Sequence, residues 1–505
     1  MSAMRRGLAV SLLPFQLTRL LSIVGRSGRR CSSVAGAASS ESDEDEVDAL
    51  VGQKWDVVIS GAGLAGAALA CALGTAESFS NKRVLLIDRR ILRSDHDEEN
   101  WSNRVYALTP GSKNFLQGKA SLPRLGVWDR LPKSKIQAIK RMQVWESHSG
   151  AAITFDGRTA TGDVAFDVDM GNLADALYRR LDELPSQVVH VCSGVKVSRY
   201  ELPCLERRHP EDPCPPVRVH LHGDRGFFET SLLVGADGFN SQVRKSMGVK
   251  CLQWNYDEKS IIATVKLSEA SQTLMSSPTN NTVAWQRFLP HGVVALLPLD
   301  AEHSSLVWSL RTDLADKLMR LDEDSFVDAL NKTLWGESKQ IPLVDSMVSA
   351  VDSTLKRFGL VSGSPPAGPL NILQLVPGSR ATFPLGLSYA AYYVLPRVAL
   401  IGDAAHRIHP MAGQGANLGF GDAQGLADLL IQSVYEGSPI VSFDTLLSYE
   451  TERQRHTVPF LLAIEGLVAL YRFNWGPAIA ARSVGLQLLD ACTAIKDKII
   501  DRASY

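Results

Sequence analysis

The sequence predicts an α/β fold: a parallel sheet flanked by helices, interleaved with a mixed β-sheet region and followed by C-terminal helices. Three observations carry this prediction. A short apolar run ends in a glycine turn and leads through a small-residue helix into a second apolar run, the pattern of a βαβ unit. Two further apolar runs, far along the chain, also end in glycine-and-acid turns. Between them lie segments that alternate as antiparallel strands do.

Order begins near Trp55. Residues 55–60 (WDVVIS) read as a buried parallel strand, 64–74 (LAGAALACALG) as a helix ended by Gly74, and 83–88 (RVLLID) as the next strand. Residues 140–146 and 151–155 form a hairpin outside that first sheet. Residues 172–184 repeat leucine at helical spacing. The segment 202–216 holds five prolines and is a surface loop, as is 361–369. Residues 231–236 are another apolar strand, and 283–311 hold two or three strands with turns at 291–292 and around 300–304. Residues 397–402 (RVALIG) are a further buried strand, followed by a helix from about 416 to 435 and by largely helical sequence over 444–500. Pro459 is expected to break or restart a helix there.

Charge is placed unevenly. The whole chain carries −1, but residues 1–40 contain six arginines and no Lys, Asp or Glu, so residues 41–505 carry −7. An Arg-rich, acid-free, amphipathic start predicts a mitochondrial transit peptide. The acidic run over 41–48 reads as part of a solvated linker. A chain with this balance offers no basic field for nucleic acid. Its seven cysteines contain no C-x-x-C pair, which argues against a disulfide framework, a zinc site or an iron–sulfur site. No apolar stretch reaches the roughly 18–20 residues that span a bilayer.

The first turn, Gly61-Ala62-Gly63-Leu64-Ala65-Gly66, has the G-x-G-x-x-G spacing of a dinucleotide site. Its glycines allow the tight turn, close approach of a pyrophosphate, and helix–strand packing. Asp88 follows Gly66 by 22 residues and suits ribose hydroxyls, so the site fits FAD or NAD rather than NADP. The second turn carries Asp237-Gly238 and the third Gly402-Asp403. Each alone is an ordinary turn or helix cap. Three such turns at strand ends can converge on one extended cofactor, as FAD requires.

These turns, in this order, resemble the flavoprotein aromatic hydroxylases typified by para-hydroxybenzoate hydroxylase. The stretch His409 to Asp422 (HPMAGQGANLGFGD) is similar to the signature of the ubiquinone-biosynthesis hydroxylases. Ser102-Asn103-Arg104, the run Trp285 to Pro290 (WQRFLP), Phe383-Pro384-Leu385 and Tyr449 to Arg455 (YETERQR) match as well. With its Arg-rich start, the chain most resembles the mitochondrial branch of that family that acts at ring C5.

The resemblance implies an FAD-binding Rossmann-like domain over 55–130, 165–250 and 380–435. A mixed-sheet substrate domain would cover 131–164 and 251–379, with helices over 436–505 following a transit peptide (1–40) and an acidic linker (41–54). It implies that Gly61, Gly63 and Gly66 hold the pyrophosphate and Asp88 the adenosine ribose. Arg104 would lie near the phosphates, with Asp237 and Gly238 beside them. Gly402 and Asp403 would meet the ribityl chain. Pro410, Gly413, Gln414, Gly415 and Asn417 would line the isoalloxazine ring. No catalytic acid, base or metal ligand is assigned, and His406 and His409 read as loop-fixing residues.

The implied reaction is hydroxylation of a polyprenylated 4-hydroxybenzoate or phenol by O2 through a flavin C4a-hydroperoxide. Ferredoxin and ferredoxin reductase are the implied electron donors, and the setting is a multi-enzyme assembly peripheral to the matrix side of the inner membrane. Another phenol, or a non-catalytic prenyl-binding protein, remains the alternative. The apolar strand over 292–299 either walls the substrate pocket or is ordinary core. The C-terminal apolar residues pack on the enzyme, on a partner, or on a membrane.

Overall fold

The computed structural model describes residues 47–498, apart from 91–100, 119–124, 150, 158, 160, 204–213, 224, 269–280, 291, 337–341, 358–368, 370, 441, 474 and 493–494. The predicted transit peptide and residues 41–46 of the acidic run lie outside the described residues, as does most of each predicted proline-rich loop.

Among the described residues, the first sheet comprises β1 (Lys54–Ser60), β2 (Val84–Asp88), β8 (Val189–Ser193), β9 (Val197–Glu201), β10 (Val217–Leu221), β11 (Phe227–Gly235), β18 (Val394–Leu395) and β19 (Val398–Leu400). Its centre is parallel, in the order β19–β11–β1–β2–β8. Burial on both faces explains why these strands read as unbroken apolar runs rather than alternating ones. Helix α1 (Leu64–Thr75) crosses from β1 to β2, and Gly66 through Leu73 are all buried. It packs on α3 (Met170–Asp182) and α8 (Gly415–Tyr435).

Gly74 does not end α1, which continues to Thr75. A Cβ at Gly74 would lie 2.5 Å from Val189 Cγ2 and 2.6 Å from Leu184 Cδ1. The glycine is there because β8 and the end of α3 press on that turn of helix.

A small antiparallel sheet joins β3 (Val105–Leu108), β7 (Ala165–Asp169) and β4 (Ile136–Ile139). Helix α2 (Pro110–Gln117) follows β3. The third sheet holds β5 (Arg141–Glu146), β6 (Ala152–Asp156), β12 (Cys251–Leu267), β13 (Val283–Leu289), β14 (Gly292–Pro298), β15 (His303–Arg311), β16 (Ile372–Leu375), β17 (Ala381–Ala390) and β20 (His406–Arg407). The predicted hairpin is β5–β6, and the segment 283–311 resolves into three strands.

The two faces of β14 have different neighbours. Val294 and Leu296 join the core under α5 (Thr312–Met319) and α6 (Glu323–Trp335). Val293 faces the other way and clusters with Met411. Alternation puts the half-buried Ala295 and Leu297 on that second face, with Val307 opposite Ala295 on β15. One face of this strand is therefore ordinary core, as one of the two expectations had it.

Arg287, in the WQRFLP run, is structural. Its guanidinium donates to the carbonyls of Thr333, Leu334 and Gly336 and so caps the end of α6. Helix α7 (Pro342–Arg357) follows in the chain, and the small helix α4 (Gln242–Ser246) follows β11.

The chain ends in α9 (Phe443–Arg472) and α10 (Gly476–Ala491). Helix α9 runs unbroken through Pro459, contrary to the expected break. Proline inside a helix costs about 3 kcal/mol. Leu461, Ile464 and Val468 are all buried beyond it, each contributing roughly 1.5–3 kcal/mol, so packing carries the helix across the defect.

Gly74→Ala should destabilise the fold by about 1–3 kcal/mol in urea unfolding, because overpacking outweighs the gain of up to about 1 kcal/mol that alanine brings to a helix interior.

Candidate active site

The site follows from the register of the first sheet. Ser60 lies beside both Gly235 and Ile87, and Gly235 lies beside Leu400. The loops after β1, β2, β11 and β19 therefore leave the sheet at one level, along its carboxyl edge. In open α/β sheets this edge is where ligands bind.

The first loop is held tightly. Gly61 has φ +110°, and a Cβ there would meet the Ala236 carbonyl oxygen at 2.4 Å. A Cβ at Gly63 would meet nothing within 4 Å, so this backbone faces open space. Helix α1 begins beside it with no side-chain cap and no acid in its first turn. Its first amides lack intrahelical acceptors and form a cradle for an anion.

Asp88 closes the loop from the side. Its Oδ2 accepts from the Ala62 amide at 2.9 Å and its Oδ1 from the Arg90 amide at 2.8 Å. Tyr178 donates to the Ala62 carbonyl at 2.8 Å, and the Ser60 and Tyr200 hydroxyls share a bond of 2.6 Å. Neither tyrosine was legible as a site residue in the sequence.

Asp237 accepts from the Gln242 amide at 2.6 Å through Oδ2, which fixes the start of α4. Its Oδ1 is buried without a partner, and burial raises the carboxyl above its usual range against the opposing hydrogen bonds of Ser241 and the loop amides. Gly238 has φ +79° beside it. Arg244 ties this loop to the next by donating to the Ala404 carbonyl at 2.7 Å and to the Phe239 carbonyl.

Asp403 lies in the short 3-10 turn Gly402–Ala404 that follows β19. More than a third of its surface is open, yet surrounding protein raises its pKa, opposed by the charges of His406, Arg407 and Arg244. Its carboxylate makes no hydrogen bond among the described residues. The side chain of Arg104 is exposed. Both its charge and that of Asp403 act on the Tyr106 hydroxyl, whose pKa burial raises, so the three share one neighbourhood.

A buried carboxylate joins the Gly402–Ala404 turn to the helices behind it. Asp422, fully buried on α8, accepts from the Gly402 amide at 2.8 Å, His406 Nε2 at 2.6 Å and Arg453 Nε at 2.7 Å. Burial alone would raise its pKa, but His406 and Arg453 outweigh this and hold it below the usual range. The sequence contained a signal for the pair. Arg453 falls on the buried stripe Leu446–Tyr449–Arg453–Thr457, and Asp422 lies among buried Leu418, Ala423 and Leu426. A charge on a buried helix stripe requires a partner.

The loop from His409 to Gly415 follows. His409 Nδ1 accepts from the Met411 amide at 3.1 Å, and its Nε2 donates to Glu258 at 3.2 Å, so His409 fixes the loop. Pro410 opens a 3-10 turn that ends at Gly413 with φ +61°, a conformation glycine adopts without strain. Gln414 precedes α8, which starts at Gly415 without a side-chain cap or a first-turn acid. Its first amides, like those of α1, lack intrahelical acceptors, the chemistry that suits an anion. The Asn417 side chain is bonded to β3 and the start of α2. It accepts from the Thr109 amide at 3.0 Å and Ser112 Oγ at 2.7 Å and donates to the Ala107 carbonyl at 2.9 Å. It thereby pins the β3–α2 turn, leaving its backbone for the loop.

The model of the FAD binding domain matches residues 205–344 and 371–459. The mitochondrial ubiquinone biosynthesis monooxygenase COQ6 of Xenopus tropicalis is 40% identical over 97% of this chain and 98% of its own length. The human protein of that name is 40% identical over 89% of this chain and 92% of its own. The chain belongs to the COQ6 family of ubiquinone biosynthesis monooxygenases.

It is thus an FAD-dependent aromatic-ring monooxygenase of the mitochondrion. Solved structures share the fold. PqsL of P. aeruginosa, in complex with 2-aminobenzoylacetate, is 20% identical and aligns at a TM-score of 0.59 over 86% of this chain and 99% of its own. The p-nitrophenol 4-monooxygenase PnpA of Pseudomonas putida is 17% identical and aligns at 0.59 over 90% and 99%. The features above fit FAD: two uncapped helix starts, an open backbone at Gly63, an unpartnered Asp237 oxygen and a free Asp403 carboxylate.

One further acid stands near the COQ6-family loop. Asp167 on β7 is fully buried, neither of its oxygens has a hydrogen-bond partner, and burial pushes its pKa well up. It lies opposite Ala107, whose Cβ is the atom nearest a Cβ built at Gly413.

Arg453→Met should cost about 3–5 kcal/mol, because it strands a buried carboxylate, and should release FAD. Denaturation followed by flavin fluorescence measures both. Asp167 binds its proton more tightly folded than unfolded, so it subtracts stability increasingly as pH rises from about 4. Asp167→Asn should therefore gain on the wild type as pH climbs towards neutrality, as read from unfolding at a series of pH values.

Proposed function

We propose that this protein hydroxylates the ring of a polyprenylated 4-hydroxybenzoate or phenol at C5 during ubiquinone biosynthesis. The observation that carries this reading is the full-length likeness to COQ6 proteins, joined to a site whose ring loop faces an apolar strand surface. Residues 55–130, 165–250 and 380–435 would hold the cofactor, and 131–164 and 251–379 the substrate.

In this reading Gly61, Gly63, Gly66 and the start of α1 cradle the pyrophosphate. Asp88 offers its remaining lone pairs to the adenosine ribose. Asp237, through its unpartnered Oδ1, and Gly238 border the phosphates, with Arg104 across from them. Gly402 and Asp403 meet the ribityl hydroxyls. Pro410, Gly413, Gln414, Gly415 and the Asn417 backbone border the ring, and the α8 amides hold negative charge at its edge. Bound FAD supplies the oxygen-activating chemistry. The protein positions the phenol and excludes water.

Ala295, Leu297 and Val307 offer an apolar wall for ring and tail. Buried Gln286 lies opposite Ala295 on the same face and is placed to hydrogen-bond a ring hydroxyl. Family resemblance supports ferredoxin and ferredoxin reductase as electron donors, and membership of a multi-enzyme assembly.

Peripheral attachment to the matrix face of the inner membrane has support in the C-terminal helices. No described helix is long and apolar enough to cross a membrane. Leu462, Leu467, Phe473, Trp475 and Leu488 are nevertheless exposed, in the manner of an interfacial surface.

Cells lacking the protein should lose ubiquinone and accumulate a prenylated phenol unmodified at C5, detected by mass spectrometry of lipid extracts. Normal ubiquinone without that intermediate would overturn the substrate. In the purified protein, Asp403→Ala should weaken FAD binding by roughly tenfold or more, as expected for one charge-assisted hydrogen bond, by fluorescence titration.

A further inference from the structure

Beyond Pro459, helix α9 turns apolar side chains outward and its two charged ones inward. Leu462, Ala463, Gly466, Leu467, Ala469 and Phe473 are exposed, and at 3.6 residues per turn they share one side of the helix. The other side bears buried Leu461, Ile464 and Val468 together with Glu465 and Arg472.

Those two charged residues reach inward to strand β12. Glu465 accepts from the Tyr256 hydroxyl. Arg472 donates to Glu258 Oε1 at 3.1 Å and to the Tyr256 carbonyl at 3.3 Å. Tyr256 and Glu258 stand on a β-bulge, where the pairing of β12 with β17 shifts between Asn255 and Lys259. Asp257 between them has φ +57°, a left-handed conformation that costs a non-glycine residue energy. Bulges re-aim side chains, frequently beside active sites.

Here both side chains meet His409. Glu258 Oε2 accepts from His409 Nε2 at 3.2 Å, and the Tyr256 ring lies edge-on to the imidazole with centroids 4.9 Å apart. His409 in turn holds the Met411 amide. Three successive contacts therefore link a surface helix to the loop that borders the flavin ring.

We infer that this clamp couples the seating of α9 to the ring loop, so that contact of its apolar outer side with a lipid bilayer orders residues 409–417. The inference rests on the membrane reading above. A bilayer is the occupant that fits, because from Pro459 to Phe473 the outer side is uncharged and the turn after it exposes Phe473 and Trp475 beside Arg472, the residue types favoured at a membrane interface. A prenylated substrate also partitions into lipid, so loop order on contact would match substrate supply.

The test is hydrogen exchange of residues 409–417 in the full-length FAD-loaded enzyme, repeated on the flavin-free protein. Each is measured with and without vesicles of phosphatidylcholine containing some phosphatidylglycerol, with co-sedimentation reporting binding. Vesicles should bind and slow exchange in the loop about fivefold or more, the range of a typical coupling between sites. Tyr256→Phe and Glu258→Gln should still bind vesicles but lose the loop response. Leu462→Glu with Leu467→Glu should neither bind nor respond. Binding with an unchanged loop overturns the coupling and leaves the membrane reading standing, as does a full response in both clamp variants. Absence of binding overturns both.

Discussion

The arrangement of the site depends on one buried carboxylate. Asp422 receives three donors, from the turn after β19, from β20 and from α9. A lone carboxylate in this setting would be costly enough to protonate. With Arg453 and His406 in place it stays ionised and directional. The helix α8 that carries it also begins, uncapped, at the end of the loop from His409 to Gln414. Asp422 thus sets where the third turn, the loop and the helix stand relative to one another, and Arg453 keeps the long C-terminal helix in that arrangement.

The other turns are fixed by the same means, with polar side chains bridging segments far apart in sequence. Arg244 ties the Asp237 turn to the Asp403 turn, Tyr178 holds the glycine loop, and Asn417 joins α8 to the β3–α2 turn. Each bond satisfies a backbone group that an irregular loop would otherwise leave unpaired. The consequence is a set of cross-braced loops in which the Asp403 carboxylate and one buried Asp237 oxygen keep no hydrogen-bond partner among the described residues. Preorganised polar groups of this kind bind a cofactor without rearrangement.

The third sheet and the C-terminal helices serve the site from the opposite side. Strand β14 divides its side chains between a helix-covered core and the face that meets Met411. The bulge in β12 turns Tyr256 and Glu258 towards the same loop. Glu146, buried beside Arg482 of α10, anchors the last helix on the β5–β6 hairpin. The C-terminal region is therefore joined through paired charges to β12, and so to the His409 loop, and to the β5–β6 hairpin.

The sequence by itself determined four of the five central parallel strands, the glycine loop, the two acid-bearing turns and the helices α1, α3, α8 and α9, because each depends on local periodicity or on a few adjacent residues. It also contained the family likeness, carried by short motifs. It did not determine where side chains point. Gly74 looked like a helix end and is a contact point for β8, and Pro459 looked like a break and is carried through by packing. Asn417 reads as part of the ring site, and only the structure shows that its side chain pins a turn more than 300 residues earlier in the chain. Asp167, Tyr178, Tyr200, Glu258 and the Asp422–Arg453 pair acquired their roles only when distant segments met. Those roles rest on burial, which sets the cost of an unpaired group, and burial is a property of the assembled structure rather than of any stretch of sequence.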